Sequence, residues 1–428
     1  MIMKEMYRTR LKNALKLLRE NDASQALVLS SNPHAVRSRD THFPYRQNSD
    51  LFYFTGSQHQ ELSLVIRPHA KEPVILVAPV NDPVKKVWDG EQPSMKALAR
   101  KLQVPGVESK DPLGTVRALV RGCNTLYLQS VVGGVSGQLR HELASRGTLN
   151  PRGLGPTIVD AERLTSVLRC IKDPSEVELI CRAADLTSAA LLHTAQFMTG
   201  GIRERELAAL IDYLYRLHGA EPAFNTIVAS GKSAATLHYH ALSRSLKNGE
   251  LLLIDTGCEL SMYACDVSRT IPIGGTLSPQ LEEVYNTVLR AQRKAIAAVR
   301  PGVLVSDVHR AAALEIVRGL KELGVLRGNT TDLFKNGAYK PYFPHGIGHM
   351  LGIDVHDATP EAGSNGLTLR HGMVITIEPG LYFARPVGKI PSCGVRIEDD
   401  VLVTARGHEV LTHNVFPTEL DEIRGMVA

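Results

Sequence analysis

Four acidic side chains stand where acids are costly. Asp255 closes the run LLLID, Asp266 lies in YACDVSRTIPI, Glu378 in MVITIEPG and Glu398 in GVRIEDDVLVT. A carboxylate among Leu, Ile and Val is buried by its neighbours, and an unpaired buried charge is strongly disfavoured. One such acid is ordinarily a strand end or half of an ion pair. Four in one sheet repel one another, so something cationic must offset them, either Arg and Lys partners or metal ions. Two divalent cations carry four positive charges, which matches four carboxylates, and a neutral imidazole would complete the donor set. Ligation dominated by oxygen favours a hard ion such as Mn²⁺, while one imidazole keeps Zn²⁺, Co²⁺ and Fe²⁺ admissible.

The imidazole is expected from HGIGHMLGIDVHD (345–357), which carries His345, His349 and His356. Spacing of four would set the first two on one helical face, but Gly346, Gly348 and Gly352 make a regular helix costly. The segment reads instead as a tight loop running into a short turn, whose glycines let backbone approach a site closely. At least one of its histidines is expected as a ligand, with the others as proton carriers or electrostatic donors. His34, His69, His141, His193, His218 and His309 stand alone and read as ordinary packed or exposed residues.

These residues need strands to carry them. NTIVAS (225–230), LLLIDTG (251–257), YACDVSRTIPI (263–273), MVITIEPG (373–380) and GVRIEDDVLVT (394–404) read as strands. The second and third, joined by CELSM, form an antiparallel hairpin; the last two are linked by an insertion rich in Gly, Pro and Ser. Helices are expected at about 203–218, 279–299 and 307–323, the pattern of an α+β layer. Asp173-Pro174-Ser175-Glu176 opens a long helix, with Asp173 as cap, Pro174 in the first turn and Glu176 closing a capping box. Upstream, the apolar runs 26–31, 62–68, 73–79 and 125–130 alternate with helical patterns at 95–102 and 116–122, an α/β domain with few clustered acids or histidines. Tyr7, Leu11, Ala14, Leu15 and Leu18 recur at helical spacing. A boundary falls near 160–172, giving domains 1–168 and 169–428.

With 428 residues the chain exceeds what one core usually supports. It is 43% hydrophobic and 22% charged with no low-complexity tract, the profile of a globular enzyme. A net charge of +5 without a basic block argues against nucleic-acid and membrane partners. There is no run of 18 apolar residues and no signal-like N-terminus. Six cysteines without CxxC pairing fit a reducing compartment, so a cytoplasmic location is expected.

The order Asp255, Asp266, His349, Glu378, Glu398 resembles the pita-bread metallopeptidases, and HGIGHMLGIDVHD resembles the signature of their proline-specific branch. FPYRQNSDLFYFTG (43–56), FNTIVASG (224–231), TLHYH (236–240) and TIEPGLYF (376–383) are similar to bacterial-type aminopeptidase P, so the likeness runs from about residue 7 to 423. The resemblance implies an α/β N-terminal domain of creatinase type and an α+β pita-bread catalytic domain. It implies two metal ions, usually Mn²⁺, bridged by water or hydroxide. Asp266 and Glu398 would bridge both ions, Asp255 would chelate one, and His349 with Glu378 would complete the other.

It further implies removal of the N-terminal residue from peptides with proline second, by hydroxide attack on the Xaa-Pro bond. Glu378 would move the proton, and His238 and His356 would hold substrate and stabilise the transition state. His345 and Tyr382 would line the proline pocket. Arg396 reads equally as a peptide contact beyond proline or as a charge partner of the acids. His240 is set aside in favour of its neighbour His238. A homo-oligomer, dimer or tetramer, is expected, with Trp88 either an inter-subunit contact or an ordinary packed or partly exposed aromatic. Two alternatives remain: a Xaa-Pro dipeptidase (prolidase) and a non-catalytic pita-bread binding protein.

Overall fold

The computed structural model describes residues 2–21, 24–130, 133–147 and 156–427. The chain divides into two compact units, Met1–Arg169 and Cys170–Ala428.

In the first unit the order is α1 (Ile2–Asn21), β1 (Gln25–Ser30), β2 (Val36–Ser38), β3 (Thr41–His42), α2 (Ser49–Thr55), β4 (Ser63–Ile66) and β5 (Val74–Pro79). Then come α3 (Pro83–Asp89), α4 (Met95–Leu102), β6 (Gly106–Ser109), α5 (Pro112–Leu119), β7 (Thr125–Leu128), α6 (Gly134–Gly147), β8 (Thr157–Asp160) and α7 (Glu162–Arg169). Six strands form one mixed sheet in the order β6-β5-β4-β1-β7-β8, parallel at β1/β7, β7/β8 and β5/β6 and antiparallel around β4. The central strand β1 is buried along its whole length, which is why it reads as an unbroken apolar run. Tyr7, Leu11, Ala14 and Leu18 form the buried stripe of α1. The helix expected over 116–122 begins earlier and ends at Leu119, because the Asp111 side chain accepts from the Gly114 N–H and Pro112 suits the first turn. No residue of α3 is buried, and Trp88 is 83% exposed rather than packed.

The second unit continues with α8 (Pro174–Ala195), α9 (Glu204–Leu217), β9 (Glu221–Pro222), β10 (Ile227–Ser230), a 3₁₀ turn Gly231–Ala235, β11 (Leu251–Thr256), β12 (Cys258–Leu260), β13 (Tyr263–Ala264) and β14 (Val267–Pro272). After α10 (Pro279–Ala298), α11 (Val305–Glu322) and α12 (Thr330–Lys335) follow β15 (Val374–Ile377), β16 (Gly380–Phe383), β17 (Cys393–Arg396), β18 (Asp399–Val403), β19 (His408–Val410) and α13 (Leu420–Val427). Asp173 caps α8 with the full capping box, as its sequence predicts. Residues of α8 to α11 share one apolar core with strands β11, β14, β15, β17 and β18. Successive strand residues face opposite ways, so Ile254 joins that core while Leu253 packs on the other side with Ile227, Ala229 and Tyr382. Asp255 shares the Leu253 parity.

The expected hairpin is β11/β14, antiparallel, with Asp255 opposite Ser268. The second acidic pair, β15/β18, is also antiparallel, and the insertion between them holds its own hairpin, β16/β17. The runs 263–273, 373–380 and 394–404 are therefore not continuous strands. Each breaks for two residues, and Asp266, Glu378 and Glu398 occupy the three breaks. An acid at a break escapes strict alternation, which lets acids from several strands converge on one point.

Candidate metal centre

Asp255, Asp266, His349, Glu378 and Glu398 all line one cavity of about 480 Å³, together with His238, His240, His345, His356 and Arg396. One donor atom each from Asp266, His349 and Glu398 lie within 4.8 Å of one another. His349 Nε2 stands 3.4 Å from Asp266 Oδ2 and 3.7 Å from Glu378 Oε1.

Backbone fixes the acids before their side chains act. The Glu398 N–H donates to Ser268 O at 3.1 Å, the Glu378 N–H to Ile347 O at 2.8 Å and the Asp266 N–H to Asp400 Oδ2 at 3.1 Å. Hydroxyls then aim the carboxylates. Ser268 Oγ donates to Glu398 Oε2 at 2.7 Å. Thr376 Oγ1 accepts the His349 N–H at 3.0 Å and lies 3.4 Å from Glu378 Oε1. Arg396, expected as either a peptide contact or a charge partner, donates to Asp255 Oδ2 (2.6 Å), Ser268 Oγ (2.8 Å) and Tyr382 Oη (2.9 Å). One of those bonds pairs its buried guanidinium with an acid, Asp255, and Arg396 also lines the cavity.

The segment 345–357 is irregular, as its glycines require, and bridges Met350 to Ile375. It exchanges backbone hydrogen bonds with β15 (Thr376 N–H to His349 O, Leu351 N–H to Val374 O) and β13 (Ala264 N–H to Gly352 O). A Cβ on Gly348 would stand 1.9 Å from Thr376 O, and one on Gly352 would meet Asp357 Oδ2 at 2.3 Å. Beneath Gly352, Lys172 Nζ and Asp357 Oδ2 pair at 2.9 Å, both side chains nearly fully buried. The loop is thus held from below by an ion pair and pressed against β15 from the side.

Both central imidazoles have assignable tautomers. His349 Nδ1 lies 3.0 Å from Met350 O, and a carbonyl only accepts, so Nδ1 carries the proton and the Nε2 lone pair faces the carboxylates. His345 likewise donates from Nδ1 to Gly346 O at 2.9 Å, and its Nε2 accepts from Tyr382 Oη at 2.9 Å. Burial pushes both histidines down to about 4, so both are neutral at physiological pH. Burial also pushes Glu378 up to about 7. Asp266 and Glu398 are raised well above the usual carboxylate range by burial and then by neighbouring acids, Glu398 and Asp255 for the first, Glu378 and Asp255 for the second.

These observations fit divalent cations. Asp255 Oδ1 and Asp266 Oδ1 are buried without a hydrogen-bond partner among the described residues. The His349 Nε2 lone pair faces Asp266 Oδ2 and Glu378 Oε1 across 3.4 and 3.7 Å. One guanidinium does not balance four carboxylates.

The remaining histidines fall as follows. The rings of His356 and His349 lie 4.1 Å apart, tilted by 52°. His238 and His240 both reach the cavity wall, so the histidine set aside stands beside the one preferred. Of the histidines read as ordinary, none lines this cavity; His309 stacks on Phe343, whose ring meets His345 edge-on at 4.9 Å. Ser268, Thr376, Asp400 and the Lys172–Asp357 pair went unread in the sequence. The available signal was spacing: Ser268 lies two residues after Asp266, and Thr376 two before Glu378.

The known proteins that this chain matches agree with the geometry. The model of metallopeptidase family M24 matches residues 178–405, and that of the aminopeptidase P N-terminal domain matches residues 7–127. The chain is 32% identical over 425 residues to the Xaa-Pro aminopeptidase of Escherichia coli, covering 95% of each. It superposes on the solved aminopeptidase PepP of Pseudomonas aeruginosa with a TM-score of 0.90 at 31% identity, covering 99% of this chain and 98% of that one. Aminopeptidase P from Escherichia coli, solved with the inhibitor Pro-Leu, gives a TM-score of 0.89 at 30% identity, covering 99% and 98%. With the pita-bread domain, its creatinase-type partner and this likeness over nearly its whole length, the chain belongs to the aminopeptidase P (Xaa-Pro aminopeptidase) branch of the M24 metallopeptidases.

Proposed function

We propose that this metallopeptidase removes the N-terminal residue from peptides with proline in second position, using two divalent cations held by Asp255, Asp266, His349, Glu378 and Glu398. The observation that carries this reading is the convergence of the five donors in one cavity with His238, His345, His356 and Arg396. Mn²⁺ suits the oxygen-rich donor set best. When bound, such cations lower the pKa of water and polarise a peptide carbonyl.

The chain's own residues supply the rest. Glu378, raised to about 7 by burial where no cation is bound, accepts the proton of the attacking water at its carboxylate and returns it to the departing proline nitrogen. Asp255 faces the free amine of the substrate, which limits cleavage to the first residue. Tyr382, expected to line the proline pocket, is instead buried behind the cavity lining. It takes a hydrogen bond from Arg396 and gives one to His345, so the His345 wall assigned to the proline ring is held from behind. His238 and His356 reach the substrate carbonyl side as donors.

A Xaa-Pro dipeptidase would need the same donors, but the full-length relatives are aminopeptidases and do not favour it. Parallel assays of a Xaa-Pro-Yaa tripeptide and a Xaa-Pro dipeptide separate the two; exclusive use of the dipeptide would overturn the proposal. A cytoplasmic homo-oligomer completes the reading. Among the described residues no helix is long and apolar enough to cross a membrane. Exposed Trp88 suits a contact between subunits, and size-exclusion chromatography with light scattering tests that.

A further inference from the structure

Glu204, the first residue of α9, has no exposed surface. A carboxylate in a helix's first turn is ordinary because the dipole favours it, but such a side chain normally faces water. Burying it is costly unless its lone pairs are filled. Here they are. Glu204 Oε1 accepts from the Ser230 N–H at 2.7 Å and from Ser230 Oγ at 2.8 Å. Glu204 Oε2 accepts from Tyr239 Oη at 2.9 Å and from the Arg244 N–H at 2.9 Å. An ionised carboxylate offers about four acceptor sites, and four donors meet them.

The two oxygens serve two different pieces of chain. Ser230 ends β10, the strand that pairs with the metal-site strand β11 through Ile227 opposite Asp255. Tyr239 and Arg244 belong to the segment after the 3₁₀ turn. That segment turns at Leu237 and His238, and its burial alternates. Leu237 and Tyr239 are half-buried and pack on the cluster of Ile227, Ala229, Leu253 and Tyr382, while His238 and His240 are exposed, and both histidines line the cavity. Tyr239 stands between the two histidines, so the bond that fixes its side chain also restrains the backbone from which both project. Anchoring the Tyr239 hydroxyl therefore orients both histidines.

We propose that Glu204 is a positioning residue, whose carboxylate ties Tyr239 to the end of β10 and so holds His238 and His240 over the metal-ligand cavity for the peptide substrate. The inference rests on the reading of that cavity as the peptidase site. Glutamine at this position would turn an amide donor toward either Ser230 N–H or Arg244 N–H, breaking one arm while keeping size.

The test uses the full chain loaded with Mn²⁺ and compares wild type, Glu204→Gln and Tyr239→Phe. Three quantities are measured: cation content, kcat and KM on a Xaa-Pro-Yaa tripeptide, and amide hydrogen exchange over residues 236–244 against 251–256. For Glu204→Gln the expected result is unchanged cation content, KM raised about tenfold with a smaller fall in kcat, and faster exchange confined to 236–244. Tyr239→Phe removes only the phenol oxygen and should shift KM and exchange in the same direction by less. If Glu204→Gln does not fold, Tyr239→Phe decides alone. Unchanged exchange over 236–244 with KM within twofold of wild type overturns the assignment. A wild-type chain that ignores the tripeptide would sink the peptidase reading instead, and the exchange result would still judge Glu204.

Discussion

Ser268 Oγ donates to Glu398 Oε2 at 2.7 Å and, on its other side, accepts the Arg396 Nε–H at 2.8 Å. Since Arg396 also holds Asp255, one serine links the carboxylates of two different sheets into a single mesh. The side chains that orient metal ligands typically govern affinity as much as the ligands' own identity.

Replacing Ser268 with Ala should therefore leave the fold intact and free Glu398 to rotate. Calorimetric titration of Mn²⁺ into the chelator-stripped variant should show affinity weakened by about 10- to 100-fold. Wild-type affinity would mean that the backbone alone fixes Glu398.

The raised carboxylates make a signed prediction about pH. Glu378 moves from 4.5 to about 7 in the folded, cation-free chain, and Asp266 and Glu398 shift the same way. Below about 6.5 the buried His345 and His349 act the other way, because the unfolded chain binds their protons. Above it the raised acids still hold protons that the unfolded chain has lost, so stability must fall as pH rises through 7. Melting temperatures of stripped protein should drop from pH 7 to pH 8. Saturating Mn²⁺ should offset the drop, because the cation replaces the protons. A stripped protein that becomes more stable over the same range would contradict the shifts.

Gly348→Ala tests how closely the histidine loop is pressed on β15. The added methyl would overlap Thr376 O at 1.9 Å, and neither backbone can yield without moving His349 or the strand. We expect a loss of about 1–3 kcal/mol in stability together with weakened Mn²⁺ binding. Unchanged binding in chemical denaturation and titration experiments would show that the loop has slack.

Away from the site, Asp173→Ala removes the capping box of α8. Thermal or urea unfolding should register a cost of about 0.5–2 kcal/mol, with peptidase activity at room temperature unaffected. A comparable loss of activity would show that α8 is coupled to the cavity.

The sequence made the candidate metal ligands legible because burial of charge is a loud signal. Asp255 and Glu398 sit among Leu, Ile and Val, and His349 sits among glycines that no helix would tolerate. Asp173 and Pro174 announced α8 through chemistry local to four residues. The supporting atoms were silent for the opposite reason. Ser268 and Thr376 are unremarkable strand residues until their partners, 130 and 27 positions away, are known. Glu204 looked like any acid in a helical first turn, and its partners lie 26 to 40 residues downstream. The strand breaks were hidden too. A run such as GVRIEDDVLVT keeps its β pattern through Glu398, although pairing passes there from β16 to β15. Arg396 was visible as a charge beside the acids, but its bonds to Asp255, Ser268 and Tyr382 were not.

The central claim is tested most directly by turnover of a Xaa-Pro-Yaa tripeptide in chelator-stripped protein while Mn²⁺ is titrated back, with Asp266→Ala alongside. The account predicts negligible turnover in the stripped chain and recovery that saturates at two cations per chain. The variant should neither retain the cations nor recover. Turnover near the wild-type level in the stripped protein, or in Asp266→Ala without bound cation, would contradict it.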